Sequence, residues 1–112
     1  MSKSNEQWLF LQDVALLIME AKRLGIKLTG GELYRTEYQQ AKYFADGKSK
    51  TMNSMHLKKL AVDFNFFIGG QLTYKKEDIQ PLGDYWESLD YKNEWGGNWK
   101  SFQDVPHFQR NE

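Results

Sequence analysis

Two histidines and two aspartates carry the chemistry that this sequence can do. His56 lies in Ser54-Met55-His56-Leu57-Lys58-Lys59-Leu60-Ala61-Val62-Asp63, which runs into the apolar stretch Phe64-Asn65-Phe66-Phe67. The other histidine, His107, ends the string Asp104-Val105-Pro106-His107 and is followed by Phe108. A mononuclear catalytic zinc site typically takes three protein ligands from His, Asp and Glu and leaves a fourth position open. His56, Asp63 and His107 are read as such a set. Asp104, three residues before His107, is placed to act as an acid/base beside the metal without ligating it. Asp90 and Glu94 are the alternative carboxylates for that role.

Composition narrows what else the chain can be. The 15 basic and 15 acidic residues balance to a formal net charge of zero. That balance lacks the electrostatic footprint of a nucleic-acid binder, and no basic run suggests a membrane surface. There is no cysteine, so disulfides, iron–sulfur clusters and thiolate zinc sites are excluded. Any metal is held by nitrogen and oxygen. The apolar run Val14 to Met19 is far too short to span a bilayer, and its polar, acidic approach is unlike that of a signal peptide. Synthesis in the cytoplasm without a signal peptide, no stable membrane association and a monomeric state are therefore expected.

The elements that must position these residues follow from hydrophobic patterning. Gln7 to Leu24 reads as a core helix on Trp8, Leu11, Ala15 and Ile18, widened by Phe10, Val14, Leu17, Ala21 and Leu24. Ser4 or Asn5 would cap its start, and Gly25 would stop it. Ile26 to Thr29 reads as a strand, extended by Glu32 to Tyr34 beyond Gly30-Gly31, and a second helix is expected from Glu37 to about Ala45. Ala61 to Phe67 is the clearest strand, with Val62, Phe64 and Phe66 on one face and Asp63, Asn65 and Phe67 on the other. A carboxylate so placed needs a partner. Gly69-Gly70 would turn the chain into a short return at Gln71 to Tyr74. Pro81 is expected to open a helix running to Leu89. Asn93 to Trp99 reads as a loop, whose Trp95 and Trp99 either line a substrate groove or belong to the core. A last strand is expected within Ser101 to Gln109. Residues 1–112 are taken as one α+β domain, an antiparallel sheet carrying the site with helices packed on it.

The pattern Ser-x-His-x6-Asp, followed by Asp-x-x-His-Phe, resembles the zinc D-Ala-D-Ala carboxypeptidase and L-alanyl-D-glutamate endopeptidase family. That family includes phage endolysins and the vancomycin-resistance dipeptidases. Tyr34-Arg35-Thr36, followed by Gln39 or Gln40, also resembles its arginine motif. The resemblance implies a hedgehog/DD-peptidase-like fold and zinc held by His56, Asp63 and His107. It implies Asp104 as catalytic acid/base, Arg35 as the residue that holds or polarises the substrate, and Ser54 and Gln39 near the substrate. It further implies a peptidase acting on peptidoglycan stem peptides, reaching the wall through a membrane pore. Alternatives are a D-Ala-D-Ala carboxypeptidase or dipeptidase, or a non-catalytic zinc-stabilised binding or virion-structural module. Two positions depart from the pattern: Lys59 stands where many relatives have glycine, and Gln109 where they commonly have glutamate.

Overall fold

The computed structural model describes residues 2–30, 42, 45, 55 and 57–112. Helix α1 spans Lys3–Arg23. It starts earlier than the sequence suggests because Ser2 is the cap, its side-chain oxygen accepting from the Asn5 amide at 3.2 Å. It ends as expected at Gly25, whose φ of 78° is left-handed. The Gly25 amide donates to the Lys22 carbonyl and the Ile26 amide to the Ala21 carbonyl, the paired bonds of a Schellman motif.

The face that α1 buries differs from the first-named stripe. Phe10, Val14, Leu17 and Ala21 lie in the core together with Glu6. Trp8 is 62% exposed and Leu11 51% exposed, and Ile18 and Met19 are also exposed. This helix is apolar on more than one side, so periodicity alone cannot choose a face. Tertiary partners decide it: the Phe10 ring meets the Trp86 ring edge-on at 5.8 Å, and Glu6 reaches Lys92 and Arg110.

Among the described residues five strands form one antiparallel sheet: β1 (Lys27–Gly30), β2 (Ala61–Ile68), β3 (Gln71–Thr73), β4 (Asn93–Trp95) and β5 (His107–Arg110). The strand order is β1-β2-β5-β4, with β3 also paired to β2. Strand β2 is the spine. Its second half pairs with β1 and β3, and its first half with β5. The expected alternation holds: Val62, Phe64 and Phe66 are buried, whereas Asp63, Asn65 and Phe67 are half-buried on the other face. Helix α2 (Lys76–Leu89) covers the core with α1. Pro81 sits inside α2 rather than opening it. The supposed loop at Asn93 contains β4, followed by a single 3-10 turn at Gly96–Asn98. The last strand is shorter than expected, because Ser101 to Pro106 is irregular. Lys42 and Ala45 are helical, as expected of the second helix. The remainder of that helix and the strand extension at 32–34 lie outside the described residues.

Phe108 is at the centre of the core. Its ring lies 6.0 Å from Phe64, 6.2 Å from Phe66, 5.9 Å from Trp86 and 6.3 Å from Trp95. Such aromatic contacts add to the burial of large apolar area. The residue next to the site is thus anchored on four sides. The turn before β2 has its own signature. Lys59 has φ 60°, the left-handed conformation that glycine adopts freely and other residues at a cost. A glycine at this position would adopt the same φ without a Cβ penalty.

Candidate metal centre

The register between β2 and β5 builds the site. Asp63 lies directly opposite His107, and on antiparallel strands directly opposed side chains share a face. Asp63 Oδ1 is 3.1 Å from His107 Nδ1. Asp104 joins them through the turn before β5, where the His107 amide donates to the Asp104 carbonyl at 3.1 Å. Ligand atoms from Asp63, Asp104 and His107 all lie within 4.8 Å of one another. His107 is buried, and the two aspartates are half-buried. All three also make interactions beyond these.

The Asp104 turn is held by glycine. The Asp104 amide donates to the Gly96 carbonyl at 2.9 Å. A Cβ on Gly96 would stand 2.3 Å from the Asp104 carbonyl oxygen, so only glycine allows this approach. Gly83 and Gly97 similarly make room for the Trp95 ring. Trp95 is fully buried and donates its indole N–H to the Val105 carbonyl at 2.8 Å. It is therefore a core residue that props the Asp104–His107 turn. Trp99 differs: it is half-buried, with its ring centroid 5.1 Å from that of His107.

Electrostatics at His107 are those of a ring between two acceptors. Burial works to lower its pKa. The hydrogen bond to Asp63 and that residue's charge, with smaller contributions from Gln109 and Asp104, outweigh burial and hold it above the ordinary imidazole value. Nε2 lies 2.7 Å from Gln109 Oε1. If Nε2 carries the proton toward Gln109, the Nδ1 lone pair faces the Asp63 carboxylate. Two acceptors at that separation require a proton or a cation between them. The donors are nitrogen and carboxylate oxygen, the set that zinc takes where no thiolate is present. The residues therefore fit a zinc ion at Asp63 and His107.

His56, Arg35, Gln39 and Ser54 lie outside the described residues, so the third expected ligand and the expected substrate contacts are not placed. The alternative acid/base residues, Glu94 and Asp90, lie outside the Asp63–Asp104–His107 group. Glu94 accepts from the Trp99 indole N–H at 2.5 Å and from the Asn111 amide at 2.6 Å. Asp90 Oδ2 is 2.9 Å from Arg110 Nη1. Sequence reading missed the role of Gln109, which stood out only as a departure from the family pattern. The signal was its place two residues after His107 on an alternating strand.

Among the described residues, a carboxylate–imidazole cluster thus lies on an antiparallel sheet backed by two helices. The model of the D-alanyl-D-alanine carboxypeptidase family matches residues 47–110, more than half of the chain, and the chain belongs to that family. It is 37% identical over 90 residues to the L-alanyl-D-glutamate peptidase of Listeria phage A118. That match covers 78% of this chain and 31% of the relative, so the chain spans about a third of the phage protein's length. Among solved structures, it resembles the L-Ala D-Glu endopeptidase ChiX of Serratia marcescens, with a TM-score of 0.71 and 27% identity. That likeness covers 89% of this chain and 79% of the other.

Proposed function

We propose that this chain is a zinc-dependent peptidase that cuts the L-alanyl-D-glutamate bond of peptidoglycan stem peptides, as a phage endolysin does. The observation that carries the reading is the Asp63–His107 pair in register, with Asp104 brought beside it by the turn at Gly96. His107 and Asp63 hold the zinc, with His56 as the third ligand. Bound there, zinc supplies a Lewis acid and lowers the pKa of a water from about 15.7 to about 7. Asp104 accepts a proton from the attacking water on a carboxylate oxygen and returns it to the leaving amine, a role worth roughly 10²–10⁴-fold. Arg35 holds the substrate and meets charge growing on its carbonyl oxygen. Ser54 and Gln39 line the same substrate. A membrane pore opened by a partner would be its route to the wall.

The test is mass analysis of products from defined muropeptides, with chelated protein and protein restored with zinc. The reading expects new amino termini on D-glutamate only when zinc is present. Release of terminal D-alanine instead would favour the second reading, a carboxypeptidase, which rests on the matching family's description. The Asp104→Ala protein separates both from a non-catalytic module. It should hold stoichiometric zinc yet fail to clear purified cell walls, and equal clearing would remove Asp104 from the chemistry.

A further inference from the structure

We infer that Glu94, acting through Asn111 and Gln109, is a positioning group that sets which nitrogen of His107 faces the metal; the inference rests on the zinc reading above. Five side chains form a ring around the end of β5. The Trp99 indole N–H donates to Glu94 Oε1 at 2.5 Å. Asn111 Nδ2 donates to Glu94 Oε2 at 2.6 Å. Gln109 Nε2 donates to Asn111 Oδ1 at 2.6 Å. Gln109 Oε1 lies 2.7 Å from His107 Nε2. The Trp99 ring closes the circle against the His107 ring.

The direction of these bonds follows from chemistry. An ionised carboxylate only accepts, so Asn111 must turn its NH2 toward Glu94. That leaves the Asn111 oxygen for Gln109, which must answer with its own NH2. The Gln109 oxygen then faces His107, and Nε2 must supply the proton. Nδ1 is left with its lone pair aimed at Asp63 Oδ1, 3.1 Å away. The backbone secures the relay. The Gln109 carbonyl accepts from the Trp86 indole N–H at 3.1 Å, and the Asn111 amide donates to the Lys92 carbonyl at 2.8 Å. A partner on the distal nitrogen of a metal-bound histidine fixes its tautomer and ring orientation, and losing it typically costs 10–100-fold in metal affinity. Here the partner is a neutral amide, and its orientation is dictated two residues away by a carboxylate that does not touch the histidine.

The experiment uses zinc-loaded full chain labelled with 15N, whose two imidazoles give a simple long-range nitrogen–proton spectrum. The expected result is His107 metallated through Nδ1 with its proton on Nε2. Gln109→Met should raise the zinc dissociation constant, measured by chelator competition, about 10–100-fold and broaden or shift the Nε2–H signal. Gln109→Glu keeps an acceptor for Nε2–H but sets a carboxylate oxygen against Asn111 Oδ1, so it should restore only part of the affinity. Glu94→Gln should give a smaller loss, since either amide end can then face Asn111. Metallation through Nε2 in the wild-type chain overturns the inference without any variant. Unchanged zinc affinity and an unchanged His107 signal in Gln109→Met also overturn it. A wild-type chain that binds no zinc instead overturns the metal reading itself.

Discussion

Strand β5 carries two charged clusters, one on each face, and they are built on opposite terms. On one face His107, hydrogen-bonded to Gln109, meets Asp63 and Asp104. On the other, Phe108 and Arg110 are buried. Arg110 lies between Glu6, at 3.3 Å, and Asp90, at 2.9 Å, and Lys92 completes the group at 2.7 Å from Glu6. Two carboxylates and two cations balance there. The three residues on the site face carry two carboxylates and one titratable ring. One four-residue strand thereby serves structure on one face and chemistry on the other. Alternation separates the two sets, so the ion cluster ties α1 to β5 while the opposite face gathers two carboxylates and an imidazole, donors of the kind a cation takes.

Removing one residue from each face should produce opposite losses. Arg110→Met leaves Glu6 and Asp90 without their buried cation and should lower the melting temperature of chelated protein on the order of 10 °C. His107→Ala should move that temperature much less, yet remove the rise that added zinc gives the wild type. Calorimetry with and without chelator reads both, and similar losses in chelator would show that the faces are not separate.

Gly96→Ala comes next. Its Cβ must push the Asp104 carbonyl away, and a displacement near 1 Å can cost about 10²-fold in turnover. Zinc affinity should hold if Asp104 is acid/base and fall with turnover if it is a ligand, so titration and rate together sharpen its role.

The pH response follows. The hydrogen bond from Lys92 lowers the Glu6 pKa, with Arg110 assisting and burial opposing. The Lys92 amide lowers the Asp90 pKa, again with Arg110 assisting and burial opposing. Both folded values lie below those of the unfolded chain. Their stabilisation is therefore fully present above the ordinary carboxylate values of 4.5 and 3.8, and is lost as pH falls through the folded ones. Acid unfolding followed by circular dichroism should show this limb in the wild type and a flatter one in Arg110→Met.

The smallest effect is expected at Lys59→Gly, which relieves a left-handed lysine but loosens the unfolded chain. A net gain of about 0.5 kcal/mol in denaturant unfolding is expected.

The grouping of Asp63, Asp104 and His107 was legible in the chain because their residue types already suggest it. A family-ordered His, Asp and His without cysteine already points to a nitrogen–oxygen metal site, and β2 announces its two faces by strict alternation. Gly25 marks the end of α1 by a backbone preference no neighbour alters. Other features were not legible. Helix α1 offers two apolar stripes, and only Trp86 and the Arg110 cluster select the one with Phe10. Trp95 and Trp99 look equivalent in sequence, yet one is core and one flanks His107. Glu6 and Arg110 are 104 positions apart, and no local pattern links them.

The sequence by its residue types offers candidate donors, and by its periodicities it separates one strand face from the other. Those depend on residue type and on backbone geometry shared by every strand. Only the tertiary structure decided that Asp63 faces His107, that Gly96 lets Asp104 reach them, and that Gln109 turns its oxygen to the ring. Each depends on strand register and close approach between segments distant in the chain, where a shift of one residue would send the same side chains to the other face.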